Sequence, residues 1–145
     1  VLFDQSFVCM VSAHHPRIRD ELTLQHFASE NHAVISSSGA APSLIDQEIA
    51  RMGLKRKTSL KIPNFIGAAL VVEHTDLIIT IPARLGDVLR GRGALKTFPV
   101  PFQLPQYAVK QHWHERYHQD PGTRWLRRII AQLMTTHEEQ VLPPK

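Results

Sequence analysis

The sequence carries a single cysteine, Cys9, in 145 residues, which excludes an intrachain disulfide framework and fits a reducing compartment. Long apolar runs are also scarce. The longest, Phe65 to Val72, is closed by Glu73 and His74, far short of the roughly 20 residues that cross a bilayer; it reads as a buried helix. No basic segment followed by an apolar stretch and a small-residue cleavage site opens the chain, and its first residue is Val rather than Met. Together these absences point to a cytoplasmic protein without membrane partners, and to a piece of something longer. The sequence also lacks a glycine-rich phosphate loop and a G-x-S-x-G nucleophile elbow; the H-E-x-x-H spacing occurs at His114-Glu115-Arg116-Tyr117-His118, in a stretch that reads as strand and loop rather than the helix that motif requires.

What is present suits a folded domain. A hydrophobic fraction of 43% is enough for one compact core or two small lobes. The net charge of +4 and pI near 9.6 raise the question of nucleic acid, which the distribution of the charge answers. Lys55-Arg56-Lys57 sits at a helix-to-strand junction, Arg84, Arg90 and Arg92 flank a short helix, and Arg124, Arg127 and Arg128 lie near the C-terminus. Scattered in this way they read as solvated surface, and no two helices meet across a short turn to form a recognition helix.

Periodicity gives the architecture. Phe7 to Val11 is a continuous apolar run that ends at Ser12, a buried strand. Thr23 supplies an N-cap for a short helix with Leu24, Phe27 and Ala28 inward, and Ala33 to Ser36 forms the next strand. The loop Ser36 to Ala41 delivers the chain to a helix beginning near Pro42. There Leu44, Ile45, Ile49 and Met52 share a stripe and Gly53 ends the helix. The unit repeats as strand Thr58 to Ile62, turn and N-cap Pro63-Asn64, helix Phe65 to Glu73. It repeats again as strand Leu77 to Ile81 and a helix opened by Pro82, with Leu85, Val88 and Leu89 inward before Gly91. Three successive strand-to-helix turns predict an α/β layer architecture with a mixed, mostly parallel sheet flanked by helices. Ligands of such sheets collect at the carboxyl ends of the strands, which nominates Ser36 to Gly39, Pro63 to Phe65 and Thr80 to Pro82.

Beyond this the chain changes character. Three closely spaced prolines between Thr97 and Pro105 exclude helix and predict an extended crossover. A strand over Tyr107 to His114 and a helix capped by Asp120 and opened by Pro121 follow, with Trp125, Leu126, Ile129, Ile130, Leu133 and Met134 on its inward stripe. Nine histidines invite a zinc-hydrolase reading, in which His112, His114 and His118 would be ligands. No cysteine lies near them and Glu115 would point to the other face of the strand, so they read as structural or surface residues. Cys9, inside an apolar strand, is a poor nucleophile.

The order of Phe7-Val8-Cys9-Met10-Val11, His15-Pro16, Leu22-Thr23-Leu24-Gln25-His26-Phe27, Ile62-Pro63-Asn64-Phe65, Thr75 to Pro82, Trp113-His114, Asp120-Pro121-Gly122 and Arg124-Trp125-Leu126-Arg127 resembles the effector-binding domain of LysR-type transcriptional regulators. It is most similar to the branch with regulators of nodulation and aromatic-compound degradation, from about Leu2 to about Met134. The resemblance implies a type II periplasmic-binding-protein-like fold of two α/β lobes with a small effector in the cleft between them. Under it residues 1–145 are a fragment of that domain. Residues 6–100 form one complete lobe, the second, and 101–136 the crossover, strand and helix that return to the first. Residues 137–145 would be a flexible tail. The helix-turn-helix, linker helix and opening half of the first lobe would lie outside, leaving apolar surface near Trp125, Ile129 and Leu133 uncovered.

The implied activity is non-enzymatic sensing, without cofactor or metal, of a small aromatic or phenolic acid. The regulator would be a dimer or tetramer that reaches DNA only through the absent helix-turn-helix. Carried onto this sequence, the family pattern places Pro63, Asn64 and Phe65 at the cleft. Asn64 stands where relatives often carry histidine, and Ser36, Ser37 and Ser38 are placed to bond a carboxylate or phenol. Thr80 completes the expected set. A solute-binding receptor of the same fold is the alternative, and a histidine-based metal hydrolase a more distant one.

Overall fold

The computed structural model describes residues 1–36 and 43–139, with the side chains of 136–139 left out of the description. The chain divides into two compact units, Ser6–Pro105 and Val1–Gln5 with Gln106–Lys145.

The first unit is built on a five-stranded sheet. Its strands are β2 (Phe7–Ser12), β3 (Asn31–Ile35), β4 (Lys57–Ile62), β5 (Ile78–Pro82) and β6 (Leu95–Pro99), in the order β4-β3-β5-β2-β6. β3 runs parallel to β4 and β5, and β2 runs antiparallel to β5 and β6. Four strands therefore share a direction and β2 alone opposes them, so the sheet is mixed and mostly parallel. Thr97 to Pro99, expected in a crossover, belong to the edge strand β6, a position where proline is tolerated because no outer neighbour needs its N–H.

The helices are α1 (Leu24–Ser29), α2 (Leu44–Arg51), α3 (Phe65–Glu73) and α4 (Ala83–Arg90). The three strand-to-helix units are β3 to α2, β4 to α3 and β5 to α4. Alternation along the strands sends residues to two cores. Cys9, Val11 and Ile78 join Ile18, Leu22, Phe27 and Ile49 on one face; Met10, Ile79 and Ile81 join Ala33, Ala68, Val72 and Leu77 on the other.

Local chemistry sets the helix ends. Thr23 accepts from the His26 N–H while the His26 ring accepts from the Thr23 N–H, a capping box. Leu22 and Phe27, flanking that cap, enter the same core as a hydrophobic staple. This corrects the inward face expected for α1: Leu24 and Ala28 are exposed, because a helix of six residues anchored by its staple has only Phe27 to bury. Ser43 caps α2, and Gly53, at φ 68°, follows its end in the left-handed region that favours glycine; Pro42 lies outside the described residues. Gly86 lets α4 approach the sheet: a Cβ there would stand 2.7 Å from Val8 Cγ2.

Two further expectations are corrected. α3 is not buried all round, since Ala68, Ala69 and Val72 face the sheet while Ile66 and Leu70 are 66% and 60% exposed. Lys55-Arg56-Lys57 is not uniformly solvated, because the Arg56 side chain is nearly buried and pairs with Asp46.

The second unit contains β1 (Phe3–Gln5) and β7 (Tyr107–Val109), paired antiparallel, a 3-10 turn at Glu115–Tyr117 and the helix α5 (Pro121–Glu139). The strand expected over Tyr107 to His114 stops at Val109, because β1 offers only Phe3, Asp4 and Gln5 to pair with. Gln111 instead donates from Nε2 to the Arg127 carbonyl at 3.1 Å. Asp120 does cap α5, accepting from the Thr123 N–H at 2.7 Å. Its apolar stripe is only partly covered: Ile129, Ile130 and Met134 are half-buried, but Trp125, Leu126 and Leu133 are exposed. α5 continues to Glu139; residues 140–145 lie outside the described residues.

Candidate ligand site at the carboxyl edge of the sheet

Parallel pairing brings the ends of β3 and β4 together. Ile35 is in register with Ile62, and the Ser36 N–H donates to the Ile62 carbonyl at 3.1 Å. Ser36, Pro63 and Asn64 thus share one exposed edge. Ser37 and Ser38 lie outside the described residues. Asn64 caps α3, its Oδ1 accepting from the Gly67 N–H at 2.7 Å, so its side chain is held in place and its amide nitrogen is the group left to donate. Phe65, the first residue of α3, is half-buried against the core that holds Met10 and Ile79.

Thr80 is placed differently. It is 5% exposed and lies on the face of Cys9 and Ile78, with its Oγ1 3.7 Å from Cys9 Sγ. Phe65 packs on the opposite face, so the structure does not bring Thr80 to the edge formed by the other candidates. Burial pushes the Cys9 thiol up to about 12, which removes the thiolate as a nucleophile near neutral pH.

His15, His32, His114 and His118 are engaged in structural bonds, and His112 is exposed beyond the end of β7. His15 accepts at Nδ1 from the Arg17 and Ile18 N–H groups and donates from Nε2 to the Asp76 carbonyl. His32 is fully buried, edge-on to Phe27 with ring centroids 4.5 Å apart, and bonds the Phe27 carbonyl through Nε2 at 2.7 Å. Burial drives its pKa down to about 4. His114 caps the 3-10 turn rather than extending a strand, and His118 Nδ1 accepts from the Trp113 indole at 3.2 Å. Among the described residues no group of three or more His, Cys, Asp or Glu is placed to hold a metal ion.

Sequence reasoning missed the polar network beside α1. Arg17 forks onto Glu30 at 2.5 and 2.7 Å and reaches Asp76 at 2.7 Å, holding both carboxylates below their usual range. These residues are separated by 13 and 59 positions, and no local periodicity signals such a contact.

Comparison with known proteins agrees with this architecture. Residues 1–135 match the LysR substrate binding domain, and the chain belongs to that family. It is 33% identical over 134 residues to the HTH-type transcriptional activator NahR of Pseudomonas putida, covering 92% of this chain and 45% of the relative. The chain therefore spans about half the length of the curated relatives it matches. A putative transcriptional regulator from Vibrio parahaemolyticus superimposes with a TM-score of 0.81 at 29% identity, over 93% of this chain and 63% of that one. The effector binding domain of QuiR in complex with shikimate shares the fold, with a TM-score of 0.64 at 17% identity over 94% of this chain and 64% of that one. The fold is thus that of LysR regulatory domains, mixed α/β and type II periplasmic-binding-protein-like. The named relatives are transcriptional regulators rather than enzymes or solute receptors. Among the described residues no helix is long and apolar enough to cross a membrane.

Proposed function

We propose that this chain is the effector-sensing part of a cytoplasmic LysR-type transcriptional regulator. A small aromatic or phenolic acid would bind at the edge formed by Ser36, Pro63, Asn64 and Phe65, with Ser37 and Ser38 from the adjoining loop. The observation that carries this reading is the combination at one edge of an aromatic ring with the exposed Ser36 and the Asn64 amide. An aromatic acid has matching parts, a ring to pack and a carboxylate to accept hydrogen bonds. The shikimate complex of QuiR supports a ring-bearing acid as the class of ligand. In this reading residues 6–100 form the second lobe and residues 101–136 return to the first. Thr80, named with this set from the sequence, lies on the Cys9 face of the sheet and is left out of the contacting edge. The intact regulator is a dimer or tetramer, touches DNA through a helix-turn-helix outside this sequence and catalyses no reaction. Effector shifts the population of two lobe arrangements, because it contacts them unequally.

The test is Phe65→Ala in the full-length regulator. The effector dose-response, with the ligand found by a thermal-shift screen of aromatic and phenolic acids, is expected to move at least tenfold to higher concentration with operator binding unchanged. An unaltered dose-response would remove Phe65 from the site.

A further inference from the structure

Three arginines that read from the sequence as solvated surface fall on one side of α5. Arg124, Arg127 and Arg128 stand three and four residues apart, about one helical turn, and so are neighbours on the helix. Like charges at this spacing repel one another, and Arg124, at the end of the first turn, also faces the positive end of the helix dipole. No acid in the first turn offsets them. Asp120, at the cap, is engaged by the Thr123 N–H and hydroxyl, each at 2.7 Å. Among the described residues no side chain bonds to the guanidinium of Arg124 or Arg128, both of which are exposed. The repulsion is therefore left uncompensated within the chain, and an anion from outside would relieve it.

The segment before α5 fixes the centre of this charge. The Arg127 guanidinium lies 4.2 Å from the centre of the Trp113 ring and donates from Nη2 to the His118 carbonyl at 3.0 Å. Trp113 is itself tied to His118 through its indole N–H. A guanidinium already held in place loses less freedom on binding. Arg124 and Arg128 flank it, so the face presents a fixed cation between two free ones.

Guanidinium groups bind phosphates and carboxylates alike, and the rings beside them decide between the two. Single-stranded nucleic acid needs ring faces on which to stack its bases. Here Arg127 covers Trp113, and Arg116 stands 6.0 Å from the centre of the Tyr117 ring. Exposed tryptophan and tyrosine among arginines is instead the composition of protein interfaces. Carboxylates one turn apart on a helix, about 6 Å along its axis, match the separation of Arg124 and Arg128.

We infer that the Arg124, Arg127 and Arg128 face of α5 docks an acidic helical segment of another protein, with carboxylates at i and i+4. The surface belongs to the unit that does not hold the effector edge, so the inference goes beyond the effector reading and does not rest on it.

Fluorescence anisotropy of the 145-residue chain with a labelled, alanine-rich helical peptide carrying glutamates at i and i+4 tests it. Arg124→Glu and Arg128→Glu are each expected to weaken binding by about fivefold, an effect that fades in high salt. A peptide with lysines in place of the glutamates should bind the double variant and not the wild type. Lys61→Glu, exposed on the other unit, should stay within about twofold of wild type. Circular dichroism checks that the fold persists, which the exposure of these positions favours. The assignment is overturned by absence of saturable binding, by equal binding of a peptide with glutamines for glutamates, or by a loss in Lys61→Glu as large as in the arginine variants. It is also overturned if the lysine peptide fails to restore binding, or if oligothymidylate binds more tightly and is lost in the same variants, which would make the face a nucleic-acid surface. None of these outcomes bears on the dose-response of Phe65→Ala, so the two proposals fail separately.

Discussion

The two units solve the problem of burial in different ways. In Ser6–Pro105 a sheet takes helices on both faces, and every fully buried apolar side chain of the described residues lies there. The other unit has a two-stranded ribbon and one long helix, and it keeps Trp113, Tyr117, Trp125, Leu126 and Leu133 exposed. An isolated two-stranded ribbon is marginal in water, and an amphipathic helix owes most of its stability to what covers its stripe. The stability of the chain should therefore be concentrated in the five-stranded unit. Both tryptophans, Trp113 and Trp125, belong to the other one, so indole fluorescence follows that unit alone, whereas far-ultraviolet circular dichroism follows the helices of both.

The largest expected effect is that of Phe27→Ala. Phe27 is 1% exposed and meets the rings of His32 and Phe102 edge-on; its truncation should cost about 3–5 kcal/mol. Denaturant titration followed by circular dichroism should show the loss. An equal shift confined to the fluorescence transition would break the comparison.

A pH effect of nearly the same size is expected from His32. Its pKa falls from an ordinary 6.5 to about 4 through burial, so below pH 6.5 the unfolded chain takes up the proton and the folded chain does not. Stability is full above that pH and is lost as the pH drops toward 4, on the order of 3 kcal/mol in all. His32→Gln should flatten this slope between pH 6.5 and 4; an unchanged slope would assign it to other groups. The Glu30 and Asp76 carboxylates, held low by Arg17, add their own loss at more acidic pH.

Gly86→Ala comes next. With Val8 Cγ2 2.7 Å from the added methyl, α4 or β2 must shift, at about 1–3 kcal/mol. The smallest effect belongs to Leu133→Ser, on the exposed stripe of α5. It should leave the unfolding free energy within about 0.5 kcal/mol, and a larger loss in either spectroscopic transition would show that the stripe is covered.

The same contrast explains what could be read from sequence. Strand and helix periodicity with cap residues located β3 to α4, because Asn64, Pro82 and Gly53 act within a few residues of their own position. Reading was weaker where partners are remote. Strand length at Tyr107 depends on a ribbon partner near residue 3, and the burial of Arg56 depends on Asp46 across the α2 to β4 turn. Of the candidate residues, the nearness of Ser36 to Pro63, Asn64 and Phe65 was legible because parallel pairing sets the ends of β3 and β4 side by side. Thr80 sat at the end of the right strand, but the alternation of β5 turns its side chain to the Cys9 face.

β2 and β6 have a kinetic consequence. The β1–β7 ladder joins Phe3 to Val109 and, in an unfolded chain, must close the whole intervening loop at a large entropic cost. Val8 paired with Pro99 brings the two ends of that loop side by side. Once the five-stranded sheet exists, only a few residues at each side remain to be gathered. The sheet should therefore form first and the ribbon last, so that interrupted-refolding experiments find circular dichroism recovering ahead of indole fluorescence.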